Sequence, residues 1–150
     1  MDSVKAQQLS SEFESALSKV LPDLAQLLQK NQVSKTLEID LGSDFLNVAN
    51  TATCTCCYIK GVLKCGSMYS PPAPMSAGED TLGMTPDQSL MFCKDVELKL
   101  STVLPALSQF VKPVNEFFEI HFLIDPATVN PGQSVVCQWG SDSILQCSNS

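Results

Sequence analysis

The chain has little positive charge. Its 150 residues include nine Lys and Arg against sixteen Asp and Glu, which gives a formal net charge of −7 at pH 7. No run of basic residues occurs in the sequence. Because proteins that bind nucleic acids use clustered cations to contact phosphates, we expect no nucleic-acid partner. The acidic balance indicates a soluble protein and does not by itself identify a ligand.

Long apolar runs are also missing. No stretch approaches the roughly 18 apolar residues of a membrane span, so we expect no membrane-spanning segment. The N-terminal region contains Asp2, Glu12, Glu14 and Asp23 and does not resemble a signal peptide, so we expect a cytoplasmic location. Seven cysteines are many for that compartment, and they leave an oxidising location open.

The common sequence motifs of catalysis do not occur. The sequence contains no G-x-G-x-x-G, Walker A, H-E-x-x-H or G-x-S-x-G pattern. His121 is the single histidine, and a Cys–His dyad would need a reactive cysteine within hydrogen-bond reach of it. Cys57 is the candidate, because it points away from the face that Cys56 and Tyr58 share. The sequence favours a protein that is not an enzyme and has no cofactor.

What the sequence does contain is a copy of itself. Residues 17–28 read LSKVLPDLAQLL and residues 100–111 read LSTVLPALSQFV. Further along, Cys56-x-Tyr58 matches Cys137-x-Trp139, and the motif ending at Cys65 matches the one ending at Cys147. The matches keep the same order in both halves, which indicates a tandem repeat.

Each half predicts a helix followed by three strands. Apolar residues at helical spacing predict helices that begin near Ser11, with a Ser11–Glu14 capping box, and at Thr85, with Gln88 as its partner. Strands are predicted at 36–41, 51–59 and 62–66, and again at 117–124, 133–139 and 143–148. We therefore predict an α+β fold, a tandem αβββ-αβββ repeat with pseudo-twofold symmetry and two helices packed on antiparallel sheet. One continuous sheet and two packed sheets are both open.

The two repeats are expected to form one domain over residues 1–150. They cover about 10–66 and 85–148, and a connector rich in Pro and Gly joins them at 67–84. Each predicted helix has an interior proline, Pro22 or Pro105. An interior proline removes a backbone hydrogen bond, so each helix is expected to kink or to divide into two short helices that meet at Leu21 and at Leu104.

The cysteines fall at matching places in two predicted hairpins. A two-residue turn at Lys60-Gly61 places Cys56 opposite Cys65 and Tyr58 opposite Leu63. In the second half, a pairing of Cys137 with Cys147 places Trp139 opposite Leu145, and a bulge absorbs the longer loop.

Three interpretations of the cysteines compete. Cys56, Cys65, Cys137 and Cys147 could be small buried side chains or could form one cross-strand disulfide in each half. A metal site is the third interpretation, and its candidate ligands are Cys54, Cys56, Cys57 and Cys65. The C-x-C-C run differs from a zinc knuckle, and the second half lacks the additional cysteines, so no metal site is predicted. Cys93 lies on an apolar helix face and is expected in the core.

Acidic residues recur at matching positions. Asp44 matches Asp125 where strands end, and together with Asp40 these residues are interpreted as loop caps. Glu38 and Glu119 match each other on strands, where we expect them on the solvent face beside cationic neighbours.

Three functional hypotheses follow. The first is a small non-enzymatic binding or assembly protein that acts through protein–protein contacts, either with another protein or as a homodimer. It would hold its partner on the sheet face or on the connector, where an apolar strip is formed by Met68, Tyr69, Pro71, Pro72, Pro74 and Met75. The second is a thiol-based redox or metal-binding module centred on the segment from Cys54 to Cys65. The third is a cysteine hydrolase that uses Cys57 and His121.

Overall fold

Within the residues that the structure describes, three helices and six strands follow one another in the order α, three β, two α and three β. The computed structural model describes residues 2–43, 56–59, 62–65, 83–111, 113–114, 116–130, 132–140 and 143–149. The elements are α1 (Ser3–Lys30), β1 (Leu37–Gly42), β2 (Cys56–Ile59), β3 (Val62–Cys65), α2 (Pro86–Ser101), α3 (Leu104–Val111), β4 (Glu119–Ile124), β5 (Val135–Trp139) and β6 (Ile144–Asn149).

The first helix is longer than its sequence pattern predicts. It begins at Ser3, because Asp2 is the N-cap and its side chain accepts a hydrogen bond from the Lys5 amide at 2.8 Å. The predicted start at Ser11 is therefore wrong. The helix also continues through Pro22 without dividing.

The helical segment of the second half divides in two. Thr85 and Gln88 form the predicted capping box at the start of α2. The helix ends at Ser101, where the Thr102 hydroxyl donates to the Lys99 carbonyl, and α3 begins at Leu104. The described residues thus contain three helices where two were predicted, and the division falls at the predicted place, just before Pro105.

All six strands belong to one sheet, in the order β2-β3-β1-β4-β6-β5. The pairs β1–β4, β2–β3 and β5–β6 are antiparallel, whereas β1–β3 and β4–β6 are parallel. The sheet is therefore mixed, and the prediction of an antiparallel sheet is wrong for two of its pairs. The cause is the way each hairpin joins the sheet. The second strand of the hairpin, β3 or β6, pairs with the strand that precedes the hairpin, β1 or β4, and runs in the same direction.

Both hairpins pair in the register that the sequence predicts. Cys56 faces Cys65 and Tyr58 faces Leu63 in the first hairpin. Cys137 faces Cys147 and Trp139 faces Leu145 in the second.

The core lies on one face of this sheet. Side chains alternate along β1 and β4 between buried and half-buried positions, as expected for a sheet with one covered face. Ile39, Phe122 and Leu145 join buried residues of the helices in one hydrophobic cluster. The opposite side, here called the open face, carries the half-buried or exposed residues Glu38, Asp40, Glu119, His121, Leu123, Val136, Gln138, Ile144, Gln146 and Ser148.

Helix α1 covers the free edge of β5. The amides of Val135 and Cys137 donate to the side chains of Ser18 (2.9 Å) and Glu14 (3.1 Å), and the Ser10 hydroxyl donates to the Cys137 carbonyl at 3.1 Å. The Trp139 indole donates to the Ala6 carbonyl at 2.7 Å. These bonds occupy backbone groups that a second sheet could otherwise pair with.

None of the helices in the described part of the chain is long and apolar enough to cross a membrane.

Candidate functional site

A row of register-matched positions crosses the middle of the sheet from one edge strand to the other. The register aligns one residue from each strand. In sheet order these residues are Cys57, Lys64, Asp40, His121, Gln146 and Gln138. The centre of the row is the pair Asp40 and His121, on the two central strands.

His121 stands among three carboxylates. Its Nε2 atom lies 3.1 Å from Glu119 Oε2 and 3.5 Å from Asp40 Oδ1. Its Nδ1 atom lies 3.8 Å from Glu38 Oε1. We call these four residues the His121 cluster. Strand geometry creates it, because Glu38 and Asp40 are two apart on β1, Glu119 and His121 are two apart on β4, and Asp40 faces His121.

The His121 cluster is only partly accessible to water. The side chains of Asp40 and His121 are 14% and 22% exposed, and those of Glu38 and Glu119 are 36% and 38% exposed. Three anionic groups surround a single imidazole, and Coulombic repulsion is stronger at such a half-buried site than in bulk water. The cluster is therefore a place on the open face where a bound cation would be stabilised.

Both ring nitrogens of His121 have carboxylate oxygens nearby. Asp40, Glu119 and His121 each offer one ligand atom, and these three atoms lie within 4.8 Å of one another. Among the described residues this is the group suited to holding a metal ion.

The second-half cysteines are joined to each other. Cys137 and Cys147 form a disulfide between β5 and β6 and are buried beneath α1. Cys93 is buried on α2, where the apolar pattern placed it, and its thiol is not part of a disulfide. In the first half, Cys56 and Cys65 are paired in register.

The proposed Cys57–His121 dyad does not form. Between β2 and β4 lie β3 and β1, so Cys57 and His121 are three strands apart in the same row. At about 4.8 Å per strand, their Cα atoms are separated by about 14 Å, which is farther than these two side chains can bridge. The prediction of a cysteine hydrolase built on this pair is therefore wrong.

The four-cysteine metal site is only partly covered by the described residues. Cys54 lies outside them. Cys56 and Cys57 are consecutive in β2, and consecutive strand positions belong to opposite faces of a sheet. The connector strip of Met68, Tyr69, Pro71, Pro72, Pro74 and Met75 also lies outside the described residues.

Sequence reasoning identified His121 but missed its cluster. Asp40 was interpreted as a loop cap, whereas it lies within β1 beside His121. Asp125 does cap a turn, since its side chain accepts a hydrogen bond from the Ala127 amide. The missed signal was the repeat itself: pairing the two matching strands antiparallel places Glu38-x-Asp40 against Glu119-x-His121.

A separate groove lies between α1 and the loop that joins β4 to β5. Its volume is about 520 Å³, and its lining includes Leu21, Pro22, Gln26 and Gln133. None of its lining residues is ionisable, so it offers no group for acid–base chemistry.

Together the fold and the site define an α+β protein with helices on one face of a mixed sheet and an ionisable cluster on the other. No family model, curated protein or solved structure matches the chain. Functional proposals therefore rest on the geometry of the open face and of the cysteines.

Proposed function

We propose that the chain is a small non-enzymatic protein that binds a protein partner through the open face of its sheet. The observation that carries this proposal is that the helices cover one face of the sheet, whereas the other face is partly exposed to solvent. The helices and the buried strand residues share one core, whereas the open face presents ten half-buried or exposed side chains.

The composition of the open face supports a partner of opposite charge. Leu123, Val136 and Ile144 offer apolar contacts along β4, β5 and β6, and Val136 is 47% exposed. The carboxylates of the His121 cluster lie beside them. Apolar area bordered by charge is typical of non-obligate interfaces, in which complementary potentials select the partner. A basic protein fits this face, whereas a second copy would bring carboxylates together.

Site-specific crosslinking tests this proposal. A photoreactive amino acid at Gln146, on the open face, is expected to give an adduct with a basic protein in an extract of the producing cells. The same group at Lys94, exposed on α2, is the matched control and is expected to give none. Val136→Lys, which removes an apolar contact and places a cation against the basic partner, is expected to weaken the adduct about fivefold, which corresponds to about 1 kcal/mol.

Two outcomes would contradict the open-face proposal. Equal adducts from Gln146 and Lys94 would mean that the face has no preference. An adduct between two copies of the chain would replace the basic partner by a homodimer.

The connector offers a second location for the same function. Its apolar strip, at residues 68–75, remains a prediction, because it lies outside the described residues. The open face is the location that the geometry supports.

A thiol-based role is the alternative, and the matched cysteine hairpins favour it. Cys137 and Cys147 form a disulfide, and Cys56 faces Cys65 at the corresponding register. We propose a second disulfide between Cys56 and Cys65. Two structural disulfides favour an oxidising compartment over the expected cytoplasm.

Alkylation of the unfolded but unreduced protein, followed by mass spectrometry, is expected to modify three of the seven cysteines. Peptide mapping should identify these as Cys54, Cys57 and Cys93, with Cys56–Cys65 and Cys137–Cys147 protected. Each short loop adds about 2–3 kcal/mol of stability when closed. Modification of five cysteines would exclude the Cys56–Cys65 bond, and modification of all seven would exclude both bonds.

The repeat organisation is part of the same proposal. We infer that residues 1–150 form one domain built from two repeats, 10–66 and 85–148, with pseudo-twofold symmetry and the connector 67–84 between them. The sheet order supports this inference. The corresponding strands β3 and β6 flank the central β1–β4 pair, and the corresponding strands β2 and β5 form the two edges. Contacts support it too: α1 packs against β5 of the other half, and α2 contacts β2.

A further inference from the structure

We propose that Asp40, Glu119 and His121 bind one divalent transition-metal ion on the open face. This site is independent of the partner-binding proposal, because it requires only residues of this chain. The three candidate ligand atoms lie within 4.8 Å of one another, and their strands are the two at the centre of the sheet.

The spacing of the ligand atoms suits a single ion. Metal–ligand bonds of about 2.0–2.2 Å in a tetrahedral site place neighbouring ligand atoms about 3.4 Å apart. The Nε2 atom of His121 is 3.1 Å from Glu119 Oε2 and 3.5 Å from Asp40 Oδ1. Two of the three ligand-atom pairs therefore already have the spacing of a single-ion site, and the third pair, the two carboxylate oxygens, lies within 4.8 Å.

Glu38 is the second observation that points to a metal ion. It approaches His121 at the other ring nitrogen, with 3.8 Å between Nδ1 and Oε1. A carboxylate placed behind a metal-binding histidine accepts the Nδ1 proton, orients the ring and leaves the Nε2 lone pair for the ion. A small movement of Glu38 would bring its carboxylate within hydrogen-bond distance.

The donor set selects the class of ion. One imidazole nitrogen and two carboxylate oxygens suit Zn²⁺ or Mn²⁺, whereas Mg²⁺ and Ca²⁺ prefer oxygen ligands alone. Three protein ligands leave coordination positions for water, and the half-buried side chains keep these positions accessible.

The single histidine gives this proposal a direct readout. In the proton NMR spectrum of the untagged full chain, the histidine ring signals need no assignment, because His121 is the only histidine in the sequence. Added Zn²⁺ is expected to shift those signals until one equivalent is bound, and Mn²⁺ is expected to broaden them selectively. Mg²⁺ at the same concentrations should leave them unchanged.

Conservative variants identify the ligands. Asp40→Asn and Glu119→Gln are each expected to weaken Zn²⁺ binding at least about tenfold, and Glu38→Gln by about tenfold, the usual effect of losing an orienting carboxylate. Glu12→Gln on α1 is the matched control and should bind normally. Unchanged His121 signals under excess Zn²⁺ would overturn the proposal, since binding at thiols alone leaves the ring unaffected. Unchanged affinity in both Asp40→Asn and Glu119→Gln would overturn it as well.

Discussion

Replacement of Phe122 by alanine is expected to lower the free energy of unfolding by about 3–5 kcal/mol. Phe122 lies in the central strand β4, is 0% exposed and belongs to the main hydrophobic cluster. Ile39 flanks it on β1 and Cys147 flanks it on β6, so packing on both sides limits how far the neighbours can close the cavity. Because small domains are stable by only about 5–15 kcal/mol, this one change removes a large share of the stability.

Leu123 is the matched control for this experiment. It follows Phe122 in the same strand but lies half-buried on the open face. Leu123→Ala is expected to cost less than about 1.5 kcal/mol, because the side chain is already partly hydrated. Urea unfolding followed by circular dichroism measures both variants. Equal losses would show that the two faces of the sheet are covered alike, and would contradict the open face itself.

Local elements of the fold could be predicted from the sequence because they depend on neighbouring residues. Thr85 and Gln88 form the expected capping box, and both cysteine hairpins pair in the expected register. A short turn fixes hairpin register, so counting outward from it was sufficient. The predicted start of α1 was wrong for a related reason. Asp2 and Ser11 are both good N-cap residues, and no neighbouring residue decides between them.

The two matching prolines had different effects, which the repeat could not reveal. Pro22 is accommodated in α1, whereas the chain leaves the helix just before Pro105. One difference between the copies is the residue three positions before the proline. It is Lys19 in the first copy and Thr102 in the second, where its hydroxyl bonds the Lys99 carbonyl and satisfies a group at the helix end.

The candidate site could not be found without the strand order. Asp40 and His121 are far apart in sequence, and their contact requires β1 and β4 to be adjacent at the sheet centre. Strand alternation alone places Glu38 with Asp40 and Glu119 with His121. What the pattern lacked was the long-range pairing that brings the two strands together and surrounds one histidine with three carboxylates.

The edge of β5 provides the second large effect. The double variant Glu14→Ala/Ser18→Ala is expected to lower the free energy of unfolding by about 2–5 kcal/mol, because it leaves the Cys137 and Val135 amides without their acceptors. Urea unfolding of the purified protein measures this loss. Glu12→Ala/Ser15→Ala, which changes the same two residue types on the same helix, is the matched control and should cost less than about 1 kcal/mol.

The same variant also tests why α1 carries polar side chains where it meets the sheet. With Glu14 and Ser18 in place, the outer edge of β5 is occupied by side chains of the chain's own helix. Without them, the freed backbone groups can pair with an edge of another molecule, so size-exclusion chromatography is expected to reveal oligomers that the control lacks. A double variant that is as stable and as monomeric as its control would mean that these hydrogen bonds neither stabilise β5 nor protect it. If the oligomers do form, the helix acts both as a core element and as a barrier against edge-to-edge pairing of β5.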